Sequence, residues 1–219
     1  MQREIIITSD GSTSVYLPEW NEYYHSKHGA IKEAYHVFIR NGLEKLQKNA
    51  ISILELGFGT GLNCFITFLE SKNKINYTGV DAYPLSAHEL SKLNYISELK
   101  AEKHTAIFNK LHELSWGKKH SITHNFFLTK QLKFFKDITD VSCYDLIYFD
   151  AFGARVQPEL WTEEIFFKMF KALNANGFLV TYAAKGSVRR AMQAVGFLVK
   201  KLPGPPGKRE MLRAIKPSN

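Results

Sequence analysis

Glu55-Leu-Gly-Phe-Gly-Thr-Gly-Leu-Asn63 decides how this chain is read, because its alternate glycines separate a short apolar run from a helix-like one. Upstream, Ile51-Ser-Ile-Leu-Glu-Leu56 reads as a strand, and downstream the residues from about Leu62 to Glu70 read as a helix. A glycine turn between strand and helix lets the backbone approach a ligand closely, and the first helical N–H groups are free to donate to it. Gly57, Gly59 and Gly61 give the spacing G-x-G-x-G. A dinucleotide fingerprint needs G-x-G-x-x-G, and its last glycine would fall on Leu62. The spacing points to a nucleotide-like cofactor other than NAD or FAD.

Outward from this turn, helices and strands alternate. Ile31, Ala34, Tyr35, Phe38 and Ile39 recur at helical spacing and predict a helix ending near Asn41-Gly42. Ile75 to Val80 reads as a second strand ending at Asp81, followed by helices over 86–99 and 102–114. Ile122 to Leu128 reads as a third strand, and Tyr144 to Phe149 as a fourth ending at Asp150. A helix from about Glu159 to Leu173 leads through Asn176-Gly177 to a strand over Phe178–Tyr182. Ser187 starts a further helix that Gly196 ends. Phe197–Leu202 and Met211–Ile215 flank Pro203-Gly-Pro-Pro-Gly207 as a terminal antiparallel pair. The expected class is α/β, a doubly wound, mostly parallel sheet carrying that pair. Ligands bind such sheets outside the carboxyl ends of the strands, so the glycine turn, Asp81 and Asp150 are expected on one edge. Residues 1–28 read as an N-terminal arm, with Thr8 to Val15 turning between two extended runs, and residues 29–219 as the main domain.

Composition bounds the function. The chain has 219 residues, enough for one domain with its own core and no need of disulfides or a structural metal. It has no apolar run of the ~20 residues that span a bilayer, and its first residues lack the apolar length of a secretory signal, so a cytoplasmic location is expected. Cys64 and Cys143 are far apart and read as buried free thiols. Twenty-nine Lys and Arg against 21 Asp and Glu give a net charge of +8, a balance that favours a polyanionic partner. His25-x-x-His28 and His120-x-x-x-His124 have ligand-like spacing, but no Cys or carboxylate cluster accompanies them, so no metal is expected.

Two carboxylates complete the site. Asp81 lies twenty residues beyond Gly61 at a strand end, where a carboxylate can accept both ribose hydroxyls of a nucleoside. Asp150 ends an otherwise apolar strand and is expected at the reacting centre.

The E-x-G-x-G-x-G form resembles motif I of Rossmann-like class I methyltransferases, whose loop lies under the methionine part of S-adenosylmethionine. The resemblance implies cofactor contacts from Glu55, Gly57, Phe58, Gly59, Thr60, Gly61 and Asn63, joined by Asp81 and Asp150. Further motifs narrow it. Phe149-Asp-Ala-Phe152, Pro158 to Glu163, Ala184 to Arg190 and Gly204 to Met211 resemble the methyltransferase domain of the MnmC family, as do Gly29, Glu33 and His36-Val-Phe38. That family completes 5-methylaminomethyl-2-thiouridine at the tRNA wobble position. The resemblance spans about residues 20 to 215 and implies a form without the flavin-dependent oxidoreductase half, methylating 5-aminomethyl-2-thiouridine. The expected partner is the tRNA anticodon stem-loop. This sequence departs from relatives in having no acid in Phe127 to Gln131, where many methyltransferases hold the adenine amino group, and Asp81 where relatives often have Glu.

On this reading Asp150 orients the acceptor amine and takes its proton. Phe152 is expected to stack on a splayed base, as Trp161 does if it is not core. Lys185, Arg189, Arg190, Lys208 and Arg209 are expected on tRNA phosphates. A small-molecule methyltransferase, an aminopropyltransferase and a non-catalytic tRNA-binding module are the rival readings. The first would need neither the net charge nor the basic C-terminal loops, the second would need more acidic residues, and the third would bind no S-adenosylmethionine.

Overall fold

A computed structural model describes residues 2–218; the expected domain bounds at positions 1 and 219 lie outside the described residues. The chain opens with three antiparallel strands, β1 (Glu4–Ile7), β2 (Thr13–Leu17) and β3 (Glu22–Tyr23), which form a small sheet of their own. The turn between β1 and β2 does a second job. Helix α1 (Ala30–Ala34) has no side-chain cap of its own at Gly29. Its first N–H groups are taken instead by the turn: Ala30 N–H donates to Thr8 Oγ1 at 3.3 Å and Lys32 N–H to Asp10 Oδ2 at 3.0 Å. The otherwise orphaned donors at the helix start thus tie the arm to the main body.

After α1 the same helical run continues as a π-helical segment over Tyr35–Arg40. Then follow β4 (Ala50–Leu56), α2 (Leu62–Glu70) and β5 (Lys74–Asp81). The expected helix over 86–99 is two short pieces, α3 (Ala87–Leu90) and α4 (Tyr95–Glu98), followed by α5 (Thr105–Glu113). Next come β6 (Lys119–Ser121), β7 (Phe126–Leu132) and β8 (Tyr144–Phe149). The chain closes with α6 (Glu163–Ala172), β9 (Leu173–Thr181), α7 (Gly186–Ala194), β10 (Leu198–Pro203) and β11 (Glu210–Ile215).

The large sheet has eight strands in the order β10-β11-β9-β8-β4-β5-β7-β6. From β9 to β7 all neighbours are parallel, while β6 and β11 run antiparallel to their neighbours. The terminal pair is as expected, with Leu202 opposite Met211. Strand order reverses at β4, which sits between β5 and β8, so the carboxyl ends of these strands frame the crevice where such sheets bind ligands.

Both faces of the sheet are covered, and side-chain alternation assigns each residue a layer. Ile51, Ile53, Leu146 and Tyr148 pack with Phe38, Phe65 and Phe108 on one face. Leu54, Leu56, Ile147 and Phe149 pack with Trp161, Phe166 and Met192 on the other. At the opposite end from the crevice, Asp145 accepts from Lys48 Nζ at 2.6 Å, Ser52 N–H at 2.9 Å and Asn174 Nδ2 at 2.9 Å, pinning the starts of three central strands together.

Two further expectations shift. The third central strand is Phe126–Leu132 rather than Ile122–Leu128, because the chain turns at 122–125 and pairs β6 with β7. The tract Phe127 to Gln131 is therefore inside the strand. Cys143 is exposed, whereas Cys64 is buried as expected.

Candidate active site

The glycine turn is shaped by backbone that only glycine adopts readily. Gly57, Gly59 and Gly61 have φ of 91°, 48° and 70°. At Gly57 space is also limiting, since an added Cβ would lie 2.5 Å from the carbonyl oxygen of Asp150. The turn is held down by Val80 O, which accepts the Gly57 and Phe58 N–H groups at 2.9 and 3.1 Å. Asp81 reaches over it: Oδ2 accepts the Gly59 N–H and Oδ1 the Tyr83 N–H, both at 2.8 Å. Each oxygen keeps a lone pair for a further donor.

A cavity of about 900 Å³ opens above this edge. Gly57, Gly59, Asp81, Asp150 and Phe152 line it. Glu55, Phe58, Thr60, Gly61 and Asn63 stand behind the lining and support it. Phe58 turns into the core, where its ring fills the space beside Gly79. Thr60 accepts from the Tyr95 hydroxyl at 3.1 Å. Gly61 precedes α2 and faces the His112 ring.

Asn63 links the two acids of the site. Its Nδ2 donates to Glu55 Oε1 at 3.0 Å and to Asp150 Oδ2 at 2.8 Å. Glu55 is 1% exposed, and burial above all holds its carboxyl well above the usual range, with Asp150 adding to the effect. Burial also pushes Asp150 up to about 7, and Glu33 adds to it, while the Asn63 bond and Lys208 pull the other way. A carboxyl near 7 at a cavity wall is poised to exchange a proton. Asn63 Oδ1 is buried without a partner, an acceptor left open beside the turn.

The arm supplies cavity wall that no motif announced. Arg3, Leu17, Trp20 and Tyr24 all line it. Arg3 donates to Tyr83 O at 2.6 Å and Pro84 O at 3.2 Å, joining the arm to the turn after Asp81. Phe152 sits between Trp20 and Tyr24, with ring centroids 5.5 and 5.1 Å away. Trp161 is core: it is 5% exposed and its Nε1 donates to Phe152 O at 2.7 Å. Phe134 and Lys136, just beyond β7, close the side next to Asp81.

A second, shallower cleft lies across the segment 151–155. Gly153, Arg155, Tyr182, Lys185, Lys208 and Arg209 line it. Lys185, Arg190 and Arg209 are exposed, and Arg189 is half-buried on α7. Lys208 differs from these, because its charge is answered by Glu33 Oε1 at 2.5 Å. Nothing in local sequence joins positions 33 and 208. The contact exists because the loop 203–209 docks on the α1 region, where His36 Nε2 meets Pro203 O at 2.8 Å and His28 fills the space beside Gly207.

The features fit S-adenosylmethionine. Gly57 and Gly59 bare their backbone to the cavity, a strand-end carboxylate retains free lone pairs, and an orphaned buried acceptor lies beside the turn. Among the described residues no group of three or more His, Cys, Asp or Glu is arranged to hold a metal ion. No helix among them is long and apolar enough to cross a membrane.

Comparison with known proteins gives the same cofactor. Residues 92–217 match the family described as S-adenosyl-L-methionine-dependent methyltransferase. The tRNA 5-methylaminomethyl-2-thiouridine biosynthesis bifunctional protein MnmC of Marinomonas sp. is 27% identical over 211 residues, covering 88% of this chain and 31% of that protein. The protein of the same name from Leptospira borgpetersenii is 30% identical over 216 residues, covering 88% and 32%. The chain thus spans about a third of the length of the curated relatives it matches. Among solved structures, MNMC2 from Aquifex aeolicus superposes with a TM-score of 0.81 at 24% identity, over 100% of this chain and 72% of that one. The doubly wound sheet is therefore that of Rossmann-like methyltransferases, and the chain belongs to the S-adenosyl-L-methionine-dependent methyltransferase family.

Proposed function

We propose that this protein methylates the primary amine of 5-aminomethyl-2-thiouridine at the wobble position of tRNA. The observation that carries the reading is the position of Asp150. It lines the cofactor cavity, and the residues that follow it, Gly153 to Arg155, line the adjoining basic cleft. The names of the relatives support a tRNA substrate, and the +8 charge agrees with it. The working location would be the cytoplasm, with residues 1–28 as an arm on the catalytic domain 29–219.

S-adenosylmethionine supplies a methyl group on a sulfonium. Gly57 and Gly59 would flank its methionine part and Asp81 would accept from the ribose hydroxyls, while Glu55, Phe58, Thr60, Gly61 and Asn63 keep the turn in shape. Asp150, held by Asn63, orients the acceptor amine and accepts its proton, so that the nitrogen presents a lone pair. Phe152 packs against the splayed base. Lys185, Arg189, Arg190 and Arg209 face phosphates of the anticodon stem-loop, each contact releasing counterions. Lys208 is engaged by Glu33 and so is not free for a phosphate.

The test is nucleoside mass spectrometry of tRNA carrying the aminomethyl group after incubation with the protein and S-adenosylmethionine. A gain of one methyl on the wobble nucleoside is expected. An unchanged nucleoside with cofactor bound would sink the reading.

A further inference from the structure

On the aminomethyl reading the acceptor nitrogen lies by Asp150, on the cavity wall three residues before the cleft begins at Gly153. A primary ammonium already stands on the cleft side of that boundary. Lys208 Nζ lies 2.5 Å from Glu33 Oε1 and 3.6 Å from the centroid of the Tyr182 ring. Both partners are held in place. Glu33 is 5% exposed, and its other oxygen accepts the Ser26 N–H at 2.7 Å. The Tyr182 hydroxyl donates to Ala151 O at 2.8 Å, one residue from Asp150.

A buried carboxylate beside an aromatic face is the arrangement that recognises an alkylammonium. Building on the aminomethyl reading above, we propose that Glu33 and Tyr182 form the subsite for the acceptor's primary amine, which Lys208 fills until the acceptor displaces it. The exchange is like for like. A buried carboxylate stripped of its cation is costly, so Glu33 gives up Lys208 only to another cation. The Lys208 side chain is 31% exposed and belongs to a surface loop, so its ammonium can withdraw into water. A uridine without the aminomethyl group carries no cation and leaves Lys208 in place. The pair thereby selects for the modified base and rejects the unmodified one. Glu33 also contributes to the raised proton affinity of Asp150, which places the two carboxyls within electrostatic reach.

Isothermal titration calorimetry of the full chain with n-propylammonium chloride at constant ionic strength tests the subsite without tRNA. Lys208→Ala should bind this probe roughly tenfold more tightly than the wild type or the Glu33→Gln/Lys208→Ala double variant. Equal binding by all three overturns the subsite. Kinetics with aminomethyl-bearing tRNA tests the displacement. Above about pH 9, where Asp150 is ionised with or without these neighbours, Lys208→Ala should lower KM by about threefold and Glu33→Gln should raise it about tenfold, the changes falling on KM rather than kcat. A KM that rises or stays level in Lys208→Ala overturns the displacement. If the wild type transfers no methyl group to this tRNA, the aminomethyl reading fails, while calorimetry still decides whether Glu33 and Tyr182 bind an amine.

Discussion

The side-chain amide of Asn63 donates to Asp150 Oδ2 at 2.8 Å while also donating to Glu55 Oε1 at 3.0 Å. One amide group therefore aims the carboxylate at the cavity wall and ties it to a buried acid behind the glycine turn. Replacing it leaves two carboxyl groups facing each other with no donor between them. Asn63→Ala should lower kcat/KM by about tenfold to a hundredfold, since Asp150 loses both its orientation and a charge-assisted bond. Steady-state methyl transfer measures it, and a wild-type rate would remove Asn63 from the machinery.

Proton exchange at Asp150 sets the pH dependence. With its carboxyl pushed up to about 7, the rate should fall as pH drops through that value, because the protonated acid accepts nothing from the amine. Stability runs the other way. A carboxyl raised above its unfolded value binds its proton more tightly in the folded state, so its contribution is full at low pH and lost as pH rises through about 7. Asp150→Asn should therefore be inactive, yet melt about 3 °C higher than the wild type at pH 8 and no higher at pH 4. Thermal unfolding at both pH values checks the sign.

Charge on the ligand should couple to the same group. A sulfonium cation near Asp150 favours the carboxylate, whereas the neutral thioether of S-adenosylhomocysteine does not. Binding of S-adenosylmethionine should tighten by about tenfold between pH 6 and pH 8, with S-adenosylhomocysteine changing little. Calorimetry in buffers of different ionisation enthalpy would also register proton release in the first case alone.

The arm should behave as part of the cofactor site. Arg3 ties it to Tyr83 and Pro84 at the rim of the cavity. Arg3→Ala should weaken S-adenosylmethionine binding roughly fivefold to twentyfold and speed hydrogen exchange over the arm's first two strands. Unchanged affinity would limit Arg3 to anchoring.

Basic residues of the cleft should act on the acceptor only. The triple variant Lys185→Ala, Arg190→Ala, Arg209→Ala should bind tRNA more weakly and flatten the dependence of binding on log salt by about one unit per lost contact. Its affinity for S-adenosylmethionine should not change. An unaltered salt slope would place the RNA elsewhere.

Much of this site is legible in the residues themselves. The glycine spacing, the strand-end acids Asp81 and Asp150 and the helix–strand alternation are local signals, and local signals survive in a single sequence. The third central strand was displaced because Ile122 and Phe126–Leu128 read as one apolar run although a turn divides them. Lys130 completed the disguise. It looks like a strand's solvent side, yet it is 1% exposed, with its Nζ donating to His112 O at 2.6 Å beneath the glycine turn. The contributions of Arg3, Trp20 and Tyr24, and the meeting of Glu33 with Lys208, depend on docking between distant segments. No periodicity encodes such contacts.

The reversed strand β11 has a bearing on how this enzyme could diversify. Because β10 and β11 form a hairpin, the loop 203–209 is a tip that returns to its own starting level, held at its base by strand pairing and along its length by the contacts of Pro203, Gly207 and Lys208 with the α1 region. Asp81 and the glycine turn belong to the other half of the chain. Grafting a different tip between Pro203 and Glu210 with Lys208 kept should redirect which molecule is methylated while leaving the methyl donor untouched, making the hairpin an exchangeable reading head on a constant engine.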